Sequence, residues 1–272
     1  MIYMSEKEMN AYRFSSGVEP SDEMLSQLMK EVAQEAKESN EKVMNEFFDS
    51  LKREAKAIRK NGLINKLVPS MGNKEHRPIL IVIAGPNGSG KTSVTSRLLK
   101  HEWMEDSVYI NPDNVAKDVF GDWNSKESVL KAANYCAEWR EKCLAEKKSL
   151  IFETVMSADD KIDYIERAKE AGFFIRIFFI ATASPTINAA RIANRVMKGG
   201  HDVPITKIIS RYKKSIYNCV KVSSIVDRLY VYDNSIDGEE AKLQFRLVNG
   251  TMGKMYVTDV PEWAEAILPD AE

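Results

Sequence analysis

Eight consecutive residues, Gly85-Pro86-Asn87-Gly88-Ser89-Gly90-Lys91-Thr92, carry the spacing GxxxxGK[ST]. Each residue type in that spacing has a use toward a phosphate chain. The glycines let the backbone curl until successive N–H groups point inward at phosphate oxygens. Lys91 supplies a mobile point charge for the β- and γ-phosphates, and the Thr92 hydroxyl is suited to ligate Mg²⁺. Such a motif is specific when a strand precedes it and a helix follows it. Ile79-Leu80-Ile81-Val82-Ile83-Ala84 is apolar and mostly β-branched, and Ser93-Val94-Thr95-Ser96-Arg97-Leu98-Leu99 reads as a helix. The free N–H groups and positive dipole end of that helix add to the anion site.

Two acids stand where a strand should end, Asp113 after a second strand and Glu153 after a third. In an open parallel sheet, ligands bind beyond the carboxyl ends of the strands. If both strands lie near the first, the two carboxylates face the γ-phosphate. One then accepts a hydroxyl proton, while the other holds the acceptor or a metal-bound water. The alternative for each acid is to cap the helix that follows. A second constellation spans residues 184–221, with Arg191, Arg195, Lys198, Lys207, Arg211, Lys213, Lys214 and Lys221 against a single acid, Asp202. Phosphoryl transfer needs cations near the transferring group, and a helical lid bearing arginines supplies them. Arg195 and Arg211 flank the turn Gly199-Gly200-His201 and are the arginines chosen for phosphate contact. His201 has no Cys or second His at ligand spacing, so it reads as a turn or substrate-contact residue. Trp123, Tyr135 and Trp139 have aromatic faces suited to stacking on a base, but helical spacing favours the core for Tyr135 and Trp139.

The elements that must hold these residues alternate. Strands are expected at 79–84, 108–110, 150–152, 173–180 and 229–232; between them are expected a helical region containing Trp123, Tyr135 and Trp139 that runs to about 147, and helices over about 159–171, 185–197 and 205–223. That alternation predicts an α/β fold, a parallel sheet with helices on both faces. The stretch 242–259 has strand-like halves about Asn249-Gly250 and reads as a hairpin. Ahead of the core, Ser21 is a good helix cap, and Leu25, Leu28, Met29, Val32 and Ala36 share one helical face. Val43, Met44, Phe47, Phe48, Leu51, Ala55 and Ile58 repeat the pattern up to a stop at Asn61-Gly62, and a polar joint covers 69–74. Residues 1–75 are therefore expected to be an N-terminal helical segment and 76–272 the P-loop domain.

With 39 Lys+Arg against 40 Asp+Glu, bulk charge indicates neither a nucleic-acid nor a membrane partner. Cys136, Cys143 and Cys219 make neither a zinc spacing nor a disulfide framework and read as buried thiols of a reducing compartment. With no spanning apolar run and no signal-like N-terminus, a cytoplasmic location is expected.

Taken in order, four stretches resemble the zeta-toxin family of P-loop kinases: Ile83–Thr92, Ile110-Asn111-Pro112-Asp113, Ile151-Phe152-Glu153-Thr154, and Arg195–Pro204 followed by Arg211-Tyr212. The likeness covers roughly 77–233. It implies a P-loop kinase-like fold with ATP and Mg²⁺ as cofactors. It also implies phosphorylation of the 3′-hydroxyl of the amino-sugar in UDP-N-acetylglucosamine, an activity that makes such a protein a toxin. By the same resemblance Asp113 matches the catalytic base, Lys91 the Walker lysine, and Arg195 and Arg211 the lid arginines. Glu153 matches a substrate-site acid, with Asn111, Thr154 and His201 as further acceptor-binding candidates. In this family the partner antitoxin is a small helical bundle that blocks the nucleotide site. Residues 20–62 are expected to act as a fused element of that kind, inhibiting in cis, with a separate antitoxin as the alternative. The acidic stretch before residue 50 is opposite in sign to the basic lid. Competing readings are a kinase of another small hydroxyl substrate and a nucleotide-dependent binding switch.

Overall fold

The computed structural model describes residues 46–53, 57, 77–98, 107–120, 125–198 and 203–269. The helix expected from Ser21, the stop at Asn61-Gly62, the joint at 69–74, Trp123 and the turn holding His201 lie outside the described residues.

The apolar run Ile79–Ala84 is strand β1, and the P-loop leads from it into helix α1 (Lys91–Leu98). Next come β2 (Val108–Ile110), α2 (Pro112–Asp118), α3 (Lys126–Ala145), β3 (Leu150–Thr154), α4 (Asp160–Glu170) and β4 (Phe174–Ala181). Helices α5 (Pro185–Met197) and α6 (Ile205–Ser223) precede β5 (Arg228–Asp233), the hairpin β6 (Lys242–Val248) and β7 (Thr251–Met255), and the short α7 (Glu262–Glu265). The strands form one sheet in the order β2-β3-β1-β4-β5-β6-β7. The first five run parallel, as expected. The hairpin, however, is not a separate tail. It pairs antiparallel along the outer edge of β5, so the sheet is mixed. Its turn works because Asn249 and Gly250 both take positive φ, 50° and 77°, which matches the twist of the flanking strands.

Both faces of the sheet are covered, which explains why β1 is apolar without alternation. Leu80, Val82 and Ala84 share a large core with side chains of α3, α4, α6 and α7. Ile81 and Ile83 point the other way, into a smaller cluster with Val94 of α1, Ile151, Phe178 and Ile180. A third cluster joins Ala189, Ile192 and Val196 of α5 to Val203 and Ile208, so the two arginine-bearing helices have a core of their own. Residues 46–53 are helical, and Phe48 and Leu51 are buried in the large core. Lys52 of that segment bonds Glu265 of α7 at 2.7 Å, and Lys213 of α6 lies 5.5 Å from the centre of the Phe47 ring. The N-terminal pattern therefore reaches the core well before the boundary expected at 75/76. All three cysteines are buried free thiols. Tyr135 departs from expectation. It is exposed on α3, edge-on to Trp139, and only Trp139 packs on the core. The buried row of α3 runs instead through Ala132, Cys136 and Cys143, which turns Tyr135 outward.

Candidate active site

The sheet order puts β3 beside β1 and β2 beside β3, so the condition set for the two acids is met. The P-loop leaves the tip of β1 with the Gly85 amide donating to the Thr154 carbonyl of β3 at 3.2 Å. Gly85 has φ +149°, and a Cβ there would lie 1.9 Å from the Ile180 carbonyl oxygen. Gly90 has φ +88°, and its Cβ would lie 2.2 Å from Nδ2 of Asn234. Only glycine fits either position. Asn234 follows β5 directly. Its Nδ2 donates to the Ser89 carbonyl and its backbone N–H to the Ala181 carbonyl, both at 2.8 Å. The amides of Gly88, Gly90, Lys91 and Thr92 have no acceptor among the described residues. A curled loop with inward donors at the head of a helix fits a phosphate chain.

Lys91 folds over this loop and donates to the carbonyls of Gly85 and Pro86 at 2.8 and 2.9 Å. Burial pushes its ammonium down to about 8; Glu153 and Asp113 oppose the shift and Arg195 and Arg211 add to it. The four charged residues singled out in the sequence thus act on one nitrogen. Arg211 of α6 also reaches the P-loop itself, with NH1 3.4 Å from Asn87 Oδ1. Arg195, in the last turn of α5, is exposed. Thr92 is exposed at the start of α1, with its hydroxyl available to a metal ion.

Asp113 sits in the first turn of α2, exposed, but it is not the cap. Asn111 caps that helix, its Oδ1 accepting from the Asp113 amide at 2.8 Å. Pro112 at the first helical position fits because it has no N–H to satisfy. The Asp113 carboxylate makes no hydrogen bond among the described residues. Glu153 is half-buried, and its Oε1 accepts from the Tyr109 phenol at 2.7 Å. That phenol in turn accepts from Asn111 Nδ2 at 2.9 Å. Burial, with Glu153 adding and Asn111 opposing, holds the Tyr109 hydroxyl above its ordinary range, so it remains a donor. Asn111 therefore has both ends of its amide engaged within the chain. The Thr154 hydroxyl accepts from the Met156 amide at 2.9 Å, in a turn beyond β3.

The basic constellation divides by role. Arg191 is a strut, bonding the Asn234 and Ile236 carbonyls at 2.7 and 3.3 Å and the Asp237 carboxylate at 3.3 Å. Lys221 pairs with Asp159 at 3.8 Å, so it too serves packing. Sequence reasoning missed Asn234, Arg191 as a strut, and Tyr109. Asn234 had a positional signal, since it stands just past a parallel strand. Tyr109 had only its period-2 relation to Asn111 on one side of β2.

A P-loop at the tip of β1, in this strand order and under an arginine-bearing helical pair, defines a P-loop kinase-like α/β protein. More specifically, the family model for zeta toxin matches residues 68–239, more than half of the 272-residue chain, and the chain belongs to the zeta toxin family. An uncharacterised protein of Haemophilus influenzae is 27% identical over 134 residues, 48% of this chain and 91% of that protein. Among solved structures, AvrRxo1-ORF1:ORF2 with ATP is similar at 17% identity and TM-score 0.52, over 85% of this chain and 73% of that one. The PezAT toxin–antitoxin system of Streptococcus pneumoniae is similar at 18% identity and TM-score 0.45, over 71% and 80%. At these identities the likeness concerns the fold. Among the described residues, no helix is long and apolar enough to cross a membrane.

Proposed function

We propose that this chain is an ATP-dependent kinase that acts as a toxin, and that its acceptor is the 3′-hydroxyl of the amino-sugar of UDP-N-acetylglucosamine. The observation that carries the reading is the P-loop at the tip of β1, its amides without acceptors among the described residues, with Lys91 folded on it, Arg211 reaching Asn87, and the strands that lead to Asp113 and Glu153 on the same side of β1. Magnesium-bound ATP would supply the phosphoryl group. The P-loop amides and Lys91 hold the phosphates, with Lys91 leaving the Gly85 and Pro86 carbonyls to do so, and the Thr92 hydroxyl is the group that would hold the metal. Asp113 takes the proton of the attacking hydroxyl at its carboxylate. Its exposure and lack of an internal partner leave it available for that task. Arg195 and Arg211 offset the negative charge that spreads over the transferring group. Glu153 orients the acceptor or a metal-bound water, and Thr154 and His201 are further candidates for binding the acceptor.

The N-terminal helices inhibit in cis, or a separate antitoxin does so, and the protein works in the cytoplasm. The acidic N-terminal stretch is opposite in charge to the basic lid, so charge would steer the contact while apolar burial supplies most of its strength. The test is to mix the protein with ATP and UDP-N-acetylglucosamine and analyse the products by mass spectrometry. A phosphorylated sugar nucleotide, absent with Asp113→Asn, is expected. Phosphorylation of another small hydroxyl compound in its place would overturn the acceptor. ATP hydrolysis with no phosphorylated acceptor, together with an ATP-dependent protein partner, would overturn the kinase in favour of a binding switch.

A further inference from the structure

We propose that Tyr109 and Asn111 form a bracket that sets the two carboxylates of the site, with Tyr109 the positioning residue for Glu153. The inference deepens the kinase reading and rests on it. The register of β2 on β3 sets Tyr109 opposite Ile151, on the sheet face that also carries Glu153. Two residues of strand advance the chain about 6.6 Å, the span that a tyrosine ring and hydroxyl cover. The phenol therefore leans along β3 and donates to Oε1 of Glu153 at 2.7 Å. It cannot swing away, because Asn111 Nδ2 donates to the phenol oxygen at 2.9 Å. Asn111 cannot turn either, because its Oδ1 caps α2 through the Asp113 amide at 2.8 Å. One side-chain amide thus ties the helix that bears Asp113 to the phenol that holds Glu153. Glu153 keeps Oε2, which has no partner among the described residues, for the incoming ligand. A shorter or apolar residue at 109 would leave the carboxylate free to rotate toward Lys91.

A bracket acts through the group it holds, so the test is a double-mutant cycle. Turnover with UDP-N-acetylglucosamine is measured at saturating ATP for the wild type, Tyr109→Phe, Glu153→Gln and the double variant. Tyr109→Phe keeps the ring and should lower kcat roughly ten- to a hundredfold, with KM for ATP within about twofold. In the Glu153→Gln background the same change should cost less than about twofold. Losses that multiply, an unchanged kcat in Tyr109→Phe, or a Tyr109→Phe protein that no longer folds would each overturn the bracket, the last by making the phenol structural. If wild type transfers nothing to UDP-N-acetylglucosamine, the acceptor reading fails by itself. The cycle is then read on ATP hydrolysis, where the same non-additivity is expected and its absence overturns the bracket.

Discussion

Asp113 and Glu153 are both carboxylates at strand tips, yet the chain treats them differently. Glu153 is tied to Tyr109, while Asp113 projects from the first turn of α2 with the capping done by Asn111. Replacing Asp113 by Asn therefore removes no internal bond. We expect kcat to fall about 10²- to 10⁴-fold, the usual worth of a general base, with the melting temperature and ATP affinity unchanged. Equal losses in affinity and rate would show Asp113 to be a binding group instead. Lys91 makes a pH prediction. In the free protein its ammonium is lost as pH rises through about 8. The ammonium is the form that pairs with phosphate, so ATP affinity, measured calorimetrically in EDTA, should be full below that pH and fall above it. A phosphate chain favours the charged form, so bound ATP should hold the proton to higher pH. A flat profile through that range would contradict the burial of Lys91.

At the scale of elements, the helical segment 46–53 is part of the core. Phe48 is 2% exposed and shares a cluster with Tyr212, Ile216 and Trp263, although 164 to 215 residues separate them in the chain. Phe48→Ala should destabilise the protein by about 3–5 kcal/mol in urea unfolding, because a buried ring leaves a cavity. A change near zero would mean that the segment merely rests on the surface. The loop after β5 is the second case. Asn234→Ala removes the bond that steadies the Ser89 carbonyl, and a typical bond of this kind is worth about 1 kcal/mol. ATP affinity should weaken about fivefold with overall stability little changed, as seen by titration beside a thermal melt. Neither element announced its role. Phe48 lay in a helical stripe whose partner the sequence did not name, and Asn234 carried no motif.

For the whole molecule, the question is whether the N-terminal segment restrains the kinase. The acidic stretch and the basic lid invite it, and a tethered inhibitor gains from high effective concentration. Deleting residues 1–45 spares Phe48 and Leu51, so it tests restraint without opening the core. We expect a faster kinase and stronger growth inhibition from the truncated chain. Unchanged rate and toxicity would end the idea of inhibition in cis.

Period and spacing alone determined the strands, the P-loop and the α/β class. Each of these is a local pattern, set by backbone geometry or by the chemistry of phosphate. The sequence could not say that the β6–β7 hairpin would extend the sheet, because edge pairing depends on which strand is left open. Nor could it say that Tyr135 would face solvent while Cys136 turned inward, since a helix chooses its buried face by what it meets. The bracket from Asn111 through Tyr109 to Glu153 belongs to the same group. Its two halves lie 42 residues apart, from Asn111 to Glu153, and only the register of β2 on β3 brings a phenol and a carboxylate within bonding distance.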